Sequence, residues 1–103
     1  MARITKKDRL PALYEAIAGL STMEECQRFF EDLCTTTELS ALEQRFAVAD
    51  LLKQDMVYQE ILNRTSASTS TISRVKRVLT DGSGALSDAI DRVRDHSKTE
   101  EQI

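Results

Sequence analysis

The sequence contains few of the residues that interrupt helices. It has one proline, Pro11, and three glycines among 103 residues. Because proline and glycine are the poorest helix formers, their scarcity favours long helices. Apolar residues make up 41% and charged residues 30%, which is typical of a folded domain. One compact domain is expected, and a chain this short often shares its core with a second copy.

Long apolar segments are also absent. No apolar run approaches the roughly 18 residues of a membrane-spanning helix. Residues 1–7 are basic, but no apolar segment follows them, so they do not form a secretory signal. We therefore expect no membrane partner and a cytoplasmic location.

Cysteine and histidine are too few and too far apart for most kinds of site. Cys26 and Cys34 would lie about 12 Å apart on one helix, beyond the reach of a disulfide, so both are expected to be reduced. The single histidine, His96, is distant from both, and we expect no metal site. No glycine-rich phosphate loop and no carboxylate pair at metal spacing occurs, so the sequence does not suggest an enzyme.

Acidic and basic residues are distributed unevenly along the chain. The net charge is −3, which by itself argues against nucleic-acid binding. Residues 56–79, however, carry four basic residues against Glu60 alone, and residues 1–10 are also basic. Two basic zones on an acidic body are compatible with a local nucleic-acid surface.

Apolar residues recur at helical spacing throughout, and no strand pattern is present. The spacing predicts an all-α fold of about six helices. The predicted organisation is a basic flexible arm (1–9), N-terminal helices forming a dimerisation core (10–55), a helix-turn-helix (56–79), and a C-terminal helix and tail (80–103). Within it, Ser21 and Glu24 are predicted to form a capping box, Thr36 or Thr37 to cap the third helix, and the last helix to end near residue 95.

Residues 56–79 have the pattern of a helix-turn-helix. Ile61, Ala67, Ile72 and Val75 occupy the spacings that would form a small apolar core across the turn. Ser66 stands where glycine is usual, at a position that often requires positive φ. The same pattern also fits a plain helical hairpin with a polar outer face.

The second helix of this motif would present hydroxyls and arginines outward. Five of residues 68–73 carry hydroxyls, which form helix interiors poorly and therefore suggest a function. Hydroxyls can contact base edges, and guanidinium groups can reach phosphates or guanine. The candidate DNA-binding residues are Ser68, Thr69, Ser70, Ser73, Arg74, Arg77, Gln59 and Arg64. For Ser68 or Thr69, helix capping is an alternative role, and for Gln59 and Arg64, simple solvent exposure.

Residues 37–79 resemble the Trp repressor family. The segment Thr37-Glu38-Leu39-Ser40-Ala41-Leu42-Glu43-Gln44-Arg45-Phe46 is similar to its third helix, and residues 56–61 and 66–74 are similar to its DNA-binding helices. The pattern at 58–61 and 67–75 is closer still to the related YerC/YecD branch. The resemblance implies an intertwined homodimer that binds a two-fold symmetric operator on double-stranded DNA.

The resemblance also implies a corepressor site. In the Trp repressor, indole lies between two arginines; Arg74 matches one of them, and Arg45 is the candidate for the other. The repressor has glycine after the second arginine, whereas this chain has Val75. Because added bulk in a tight pocket is unfavourable, tryptophan binding is disfavoured and no cofactor is predicted. Arg45 also fits a surface ion pair.

Together these features predict a sequence-specific transcriptional regulator, acting as a repressor, that reads a palindromic operator as a homodimer. Two alternatives stay open. One is a helical protein-interaction module that has lost DNA binding, favoured by the acidic net charge and by Ser66. The other is a repressor gated by a small aromatic or amino-acid effector.

Overall fold

The computed structural model describes residues 9–101, and over that range it contains helices and connecting turns but no strand. Its six helices are α1 (Pro11–Ala18), α2 (Met23–Leu33), α3 (Thr36–Lys53), α4 (Tyr58–Thr65), α5 (Thr69–Asp81) and α6 (Ala85–Glu101). The predicted all-α fold is confirmed. Among these residues no helix is long and apolar enough to cross a membrane. Residues 1–8 of the predicted basic arm lie outside the described residues.

The chain divides into two compact units between Leu39 and Ser40. In the first unit, the cap of α2 is one residue later than predicted. The hydroxyl of Thr22 accepts a hydrogen bond from the Glu25 amide at 3.1 Å, and the Ser21 amide donates to the Glu25 carboxylate at 3.3 Å. The prediction of a Ser21–Glu24 box was therefore wrong, because the adjacent Thr22–Glu25 frame takes the role.

Helix α3 begins with a reciprocal capping box. The Thr35 amide donates to the Glu38 carboxylate at 2.8 Å, and the Glu38 amide donates to the Thr35 hydroxyl at 3.1 Å. The cap is thus Thr35, and the predicted cap at Thr36 or Thr37 was wrong by at least one residue. The hydrogen bond from the Thr35 amide, followed by that with its hydroxyl, lowers the pKa of Glu38.

Helices α1 and α2 have apolar faces but contain no buried residue. Leu10, Tyr14, Met23 and Leu33 are each more than half exposed, and Met23 reaches 78%. Phe29 and Phe30 pack edge to face with their ring centroids 5.4 Å apart, yet both rings stay only half-buried. Apolar surface left open on two consecutive helices is a feature of chains that bury it against a partner.

The second unit contains the core. Its buried side chains come from α3, α4, the α4–α5 turn, α5 and α6, and they are Val48, Ala49, Ile61, Ala67, Ile72, Val75 and Ile90. On α3 the side-chain amide of Gln44 donates to the Thr65 carbonyl at 3.1 Å. This bond holds the end of α4 against α3.

Two polar contacts tie α6 to α3. The Arg94 guanidinium bonds the carboxylate and the backbone carbonyl of Asp50. The Lys53 ammonium reaches Ser87 and the carboxylate of Asp91. Helix α6 continues to Glu101, so the predicted end near residue 95 was wrong. No proline or glycine follows Gly84, and nothing in the sequence stops the helix earlier.

Candidate nucleic-acid interface

Helices α4 and α5 form a helix-turn-helix joined by residues 66–68. The observed motif extends from Tyr58 to Asp81, two residues later at each end than the predicted 56–79. Val57, which precedes α4, makes no side-chain cap bond. Ser68 caps α5, and its hydroxyl accepts a hydrogen bond from the Thr71 amide at 3.1 Å. The start of α5 is therefore fixed by a hydrogen bond as well as by packing.

The apolar pivot predicted for this motif is present. Ile61 and Ile72 are fully buried, Ala67 is 1% exposed and Val75 is 4% exposed. They belong to α4, the turn and α5, so one small cluster locks the two helices to each other and to α3 and α6. Because these side chains point inward, the opposite face of α5 must point outward.

The turn is closed by local hydrogen bonds around a left-handed residue. Ser66 has φ 60°, and its amide donates to the Leu62 carbonyl at 2.9 Å. The Thr65 hydroxyl donates to the Ile61 carbonyl and accepts from the Ala67 amide. The predicted positive φ at Ser66 is confirmed.

Replacing Ser66 by glycine is expected to stabilise the protein. A non-glycine residue in the left-handed region costs about 1 kcal/mol, because its Cβ crowds the backbone. We expect Ser66→Gly to raise the free energy of unfolding by about 0.5–1 kcal/mol, measured by urea denaturation. Ser66→Ala is the matched control and should give no gain, since it keeps the Cβ. A loss of stability in Ser66→Gly would contradict the proposed strain.

All eight residues predicted for DNA contact are exposed. They are Gln59 and Arg64 on α4, Ser68 at the cap, and Thr69, Ser70, Ser73, Arg74 and Arg77 on α5. The Ser68 hydroxyl is already engaged by capping and by the hydroxyls of Ser70 and Thr71. Gln59 bonds the side chain of Asn63 at 3.3 Å. Among the described side chains, the hydroxyls of Thr69 and Ser73 form no such bond, so both are free to meet a base edge.

The four basic residues of the motif differ in their partners. Arg64 pairs with Glu60 at 3.0 Å, and Arg77 lies 4.0 Å from Asp81. Among the side chains of residues 9–97, no carboxylate lies within that distance of Arg74 or Lys76. Sequence reasoning did not assign Lys76 to the site. Its ammonium lies 5.6 Å from the centre of the Tyr58 ring, a contact between helices that sequence spacing does not reveal.

A cleft of about 500 Å³ opens beside α5. It is lined by Arg45 of α3, Leu86 of α6, and Ser70, Thr71, Arg74, Val75 and Val78 of α5. The structure thus brings together the two arginines that were predicted to form a ligand site. The suggested ion pair of Arg45 is absent, since no carboxylate among the described residues lies within 4.0 Å of it.

No group of three histidine, cysteine or acidic residues suited to a metal ion occurs in the described part of the chain. Cys26 and Cys34 are free and half-buried. The functional features therefore concentrate on α4, α5 and the adjoining cleft. Two helices locked by a small apolar core, the second with a polar and basic outer face, define a helix-turn-helix protein.

Sequence comparison then identifies the family. The profile of the Trp repressor protein family matches residues 8–94, and the chain belongs to that family. It is 48% identical over 86 residues to the uncharacterised protein YerC of Bacillus subtilis (strain 168), covering 84% of this chain and 83% of YerC. The predicted resemblance is thereby confirmed, including the YerC-type branch.

Two solved structures support the same family assignment. A Staphylococcus aureus protein provisionally named a Trp repressor matches with a TM-score of 0.80 and 44% identity, over 86% of this chain and 92% of its own. A TrpR-like protein of Eubacterium eligens ATCC 27750 matches with a TM-score of 0.77 and 39% identity, over 86% and 90%. The family consists of DNA-binding regulators rather than enzymes, which confirms the prediction that the chain is not an enzyme.

Proposed function

We propose that the protein is a sequence-specific transcriptional repressor that binds a palindromic operator as a homodimer. The observation that carries this proposal is the outer face of α5. Thr69, Ser70 and Ser73 stand exposed beside Arg74, on a helix whose inner face is fixed by Ile72 and Val75. A rigid helix with short polar side chains outward can approach base edges in the major groove.

Dimerisation is supported by the apolar surface that one copy leaves open. Helices α1 and α2 bury none of their residues, and Leu42 and Phe46 of α3 are 42% and 40% exposed. A second copy that covered these faces would bury them symmetrically, as two-fold dimers do. Each dimer would then present two copies of α5 to one duplex.

Selection from a random pool of duplexes tests this function directly. The expected result is a palindromic motif whose half-sites are about one helical turn apart, because two copies of α5 would meet one face of the DNA. Sedimentation of the free protein should give a dimer mass. If no motif is enriched, and duplex affinity is absent at low salt while the dimer is intact, the protein is an interaction module instead.

A small-molecule effector is a second element of the proposal, and the cleft beside α5 favours it. Its volume of about 500 Å³ lies within the usual range of ligand pockets. Arg45 and Arg74 supply positive charge for an anionic group, while Val75, Val78 and Leu86 supply apolar contact.

Tryptophan is not the expected effector, because the Val75 side chain is part of the cleft wall and of the core. Calorimetric titration with tryptophan should give no heat and no shift of the melting temperature. A library of smaller amino and keto acids is the next probe. Saturable binding of tryptophan that is lost in Arg45→Ala would reverse this expectation.

A further inference from the structure

Two basic residues of α5 have no acidic partner among the described side chains, and they lie on opposite edges of its outer face. Arg74 is exposed and lines the cleft beside Val78. Lys76 is exposed on the α4 side, where its ammonium faces the ring of Tyr58. Arg74 and Lys76 are two residues apart in sequence. At 3.6 residues per turn, they are therefore separated by about 160° around one side of the helix. That side is the one that carries Ser70, Ser73 and Arg77.

The inner face of α5 lies in the remaining arc. Ile72 and Val75 lie in this second arc, on the side of α5 opposite to the hydroxyls, and both are buried. The hydroxyl face is therefore flanked at each edge by one cation that has no ion pair with the side chains the structure describes. The other two cations of the motif have part of their charge offset, Arg64 by Glu60 and Arg77 by Asp81.

The major groove of DNA has a width that matches this arrangement of cations on α5. A helix with its side chains is about 10–12 Å across, and the major groove is about 12 Å wide. The two walls of the groove are the two phosphate strands. When the hydroxyl face points at the bases, the edges of the helix face the walls.

We propose that Lys76 contacts the phosphate strand opposite the one met by Arg74, so that α5 is clamped to both walls of the groove. This inference rests on the proposed DNA-binding function. Tyr58 acts as a positioning residue, because its half-buried ring packs against the core and limits where the ammonium can lie. Phosphate contacts of this kind set the register of the helix and are independent of sequence.

The test measures duplex affinity against salt, on a mixed-sequence duplex of about 25 base pairs, long enough for two half-sites. Lys76→Gln should reduce the slope of log affinity against log salt by about 0.9 for each bound protomer. When the salt concentration rises from about 50 to 200 mM, Lys76→Gln should therefore lose about 3.5-fold less affinity per protomer than the native protein loses. Lys76→Arg keeps the charge and should keep the slope.

Tyr58 is tested by two substitutions. Tyr58→Phe keeps the ring and should bind as the native protein does, whereas Tyr58→Leu should weaken binding about two- to fivefold for each bound protomer, because the ring no longer positions the ammonium. Thermal melting of each variant verifies the fold. If Tyr58→Phe is as weak as Tyr58→Leu, the hydroxyl rather than the ring acts, and the positioning role is wrong.

Arg92→Gln is the matched control, since it removes the same charge from an exposed position on α6. A native protein that binds duplex, with Lys76→Gln and Arg92→Gln showing equal slopes, would overturn the clamp while leaving the proposed function standing. A native protein without salt-dependent duplex binding would remove the proposed function itself.

Discussion

Replacing Ile72 by alanine is expected to lower the free energy of unfolding by about 2–5 kcal/mol. Ile72 is fully buried at the centre of the pivot that joins α4 and α5. Deleting three of its four side-chain carbons removes apolar contact and leaves a void that the neighbouring helices fill only in part. The melting temperature should fall by roughly 10 °C or more, measured by circular dichroism.

Two further substitutions calibrate this effect. Ile72→Val removes a single methylene and should cost about 0.5–1.5 kcal/mol. Val57→Ala changes a residue that is 69% exposed, and its effect should stay within about 0.5 kcal/mol. If Ile72→Ala had the same melting temperature as Val57→Ala, the buried cluster would not be what holds the outer face of α5 in place.

The pivot was predictable because burial follows directly from apolar spacing. The spacing of Ile61, Ile72 and Val75 places them on one side when two helices pack across a short turn, as in a helix-turn-helix or a plain helical hairpin, and Ala67 is small enough for that turn. The positive φ of Ser66 was predictable for a similar reason, since the turn requires it whatever residue is present.

The helix caps were harder to place from sequence, and the predicted positions of two caps, those of α2 and α3, were wrong by a residue or more. Ser21-Thr22-Met23-Glu24-Glu25 contains two overlapping capping boxes, and the pattern alone does not rank them. The structure uses Thr22 with Glu25. Three consecutive threonines, Thr35 to Thr37, lie at the start of α3, and only the first forms hydrogen bonds with Glu38.

Contacts between distant parts of the chain left no signal in the sequence. Lys76 and Tyr58 are 18 positions apart, and their contact depends on the angle at which α4 and α5 cross. The pairing of Asp50 with Arg94 likewise depends on where α6 lies on α3. The juxtaposition of Arg45 and Arg74 in one cleft came from family resemblance, because periodicity describes single helices and not their neighbours.

Arg74→Ala is expected to have the largest effect on DNA binding of any single substitution on α5. Arg74 is exposed, has no acidic partner among the described residues and stands next to Ser73. A hydrogen bond to a charged group contributes about 1.5–3 kcal/mol. With two copies on one operator, affinity should fall by about 10²- to 10⁴-fold, at operator and unrelated duplexes alike, as measured by fluorescence anisotropy.

Comparison with Ser73→Ala separates positioning from sequence reading. The Ser73 hydroxyl is exposed and carries no charge, so its loss should weaken operator binding about 30-fold for two copies and leave unrelated duplexes unaffected. Arg74→Lys keeps a point charge without the planar fork, and it should retain the salt slope but lose part of the affinity. Unchanged binding in both Arg74→Ala and Ser73→Ala would show that α5 is not the recognition helix, because the two substitutions remove an exposed charge and an exposed hydroxyl from the centre of its outer face.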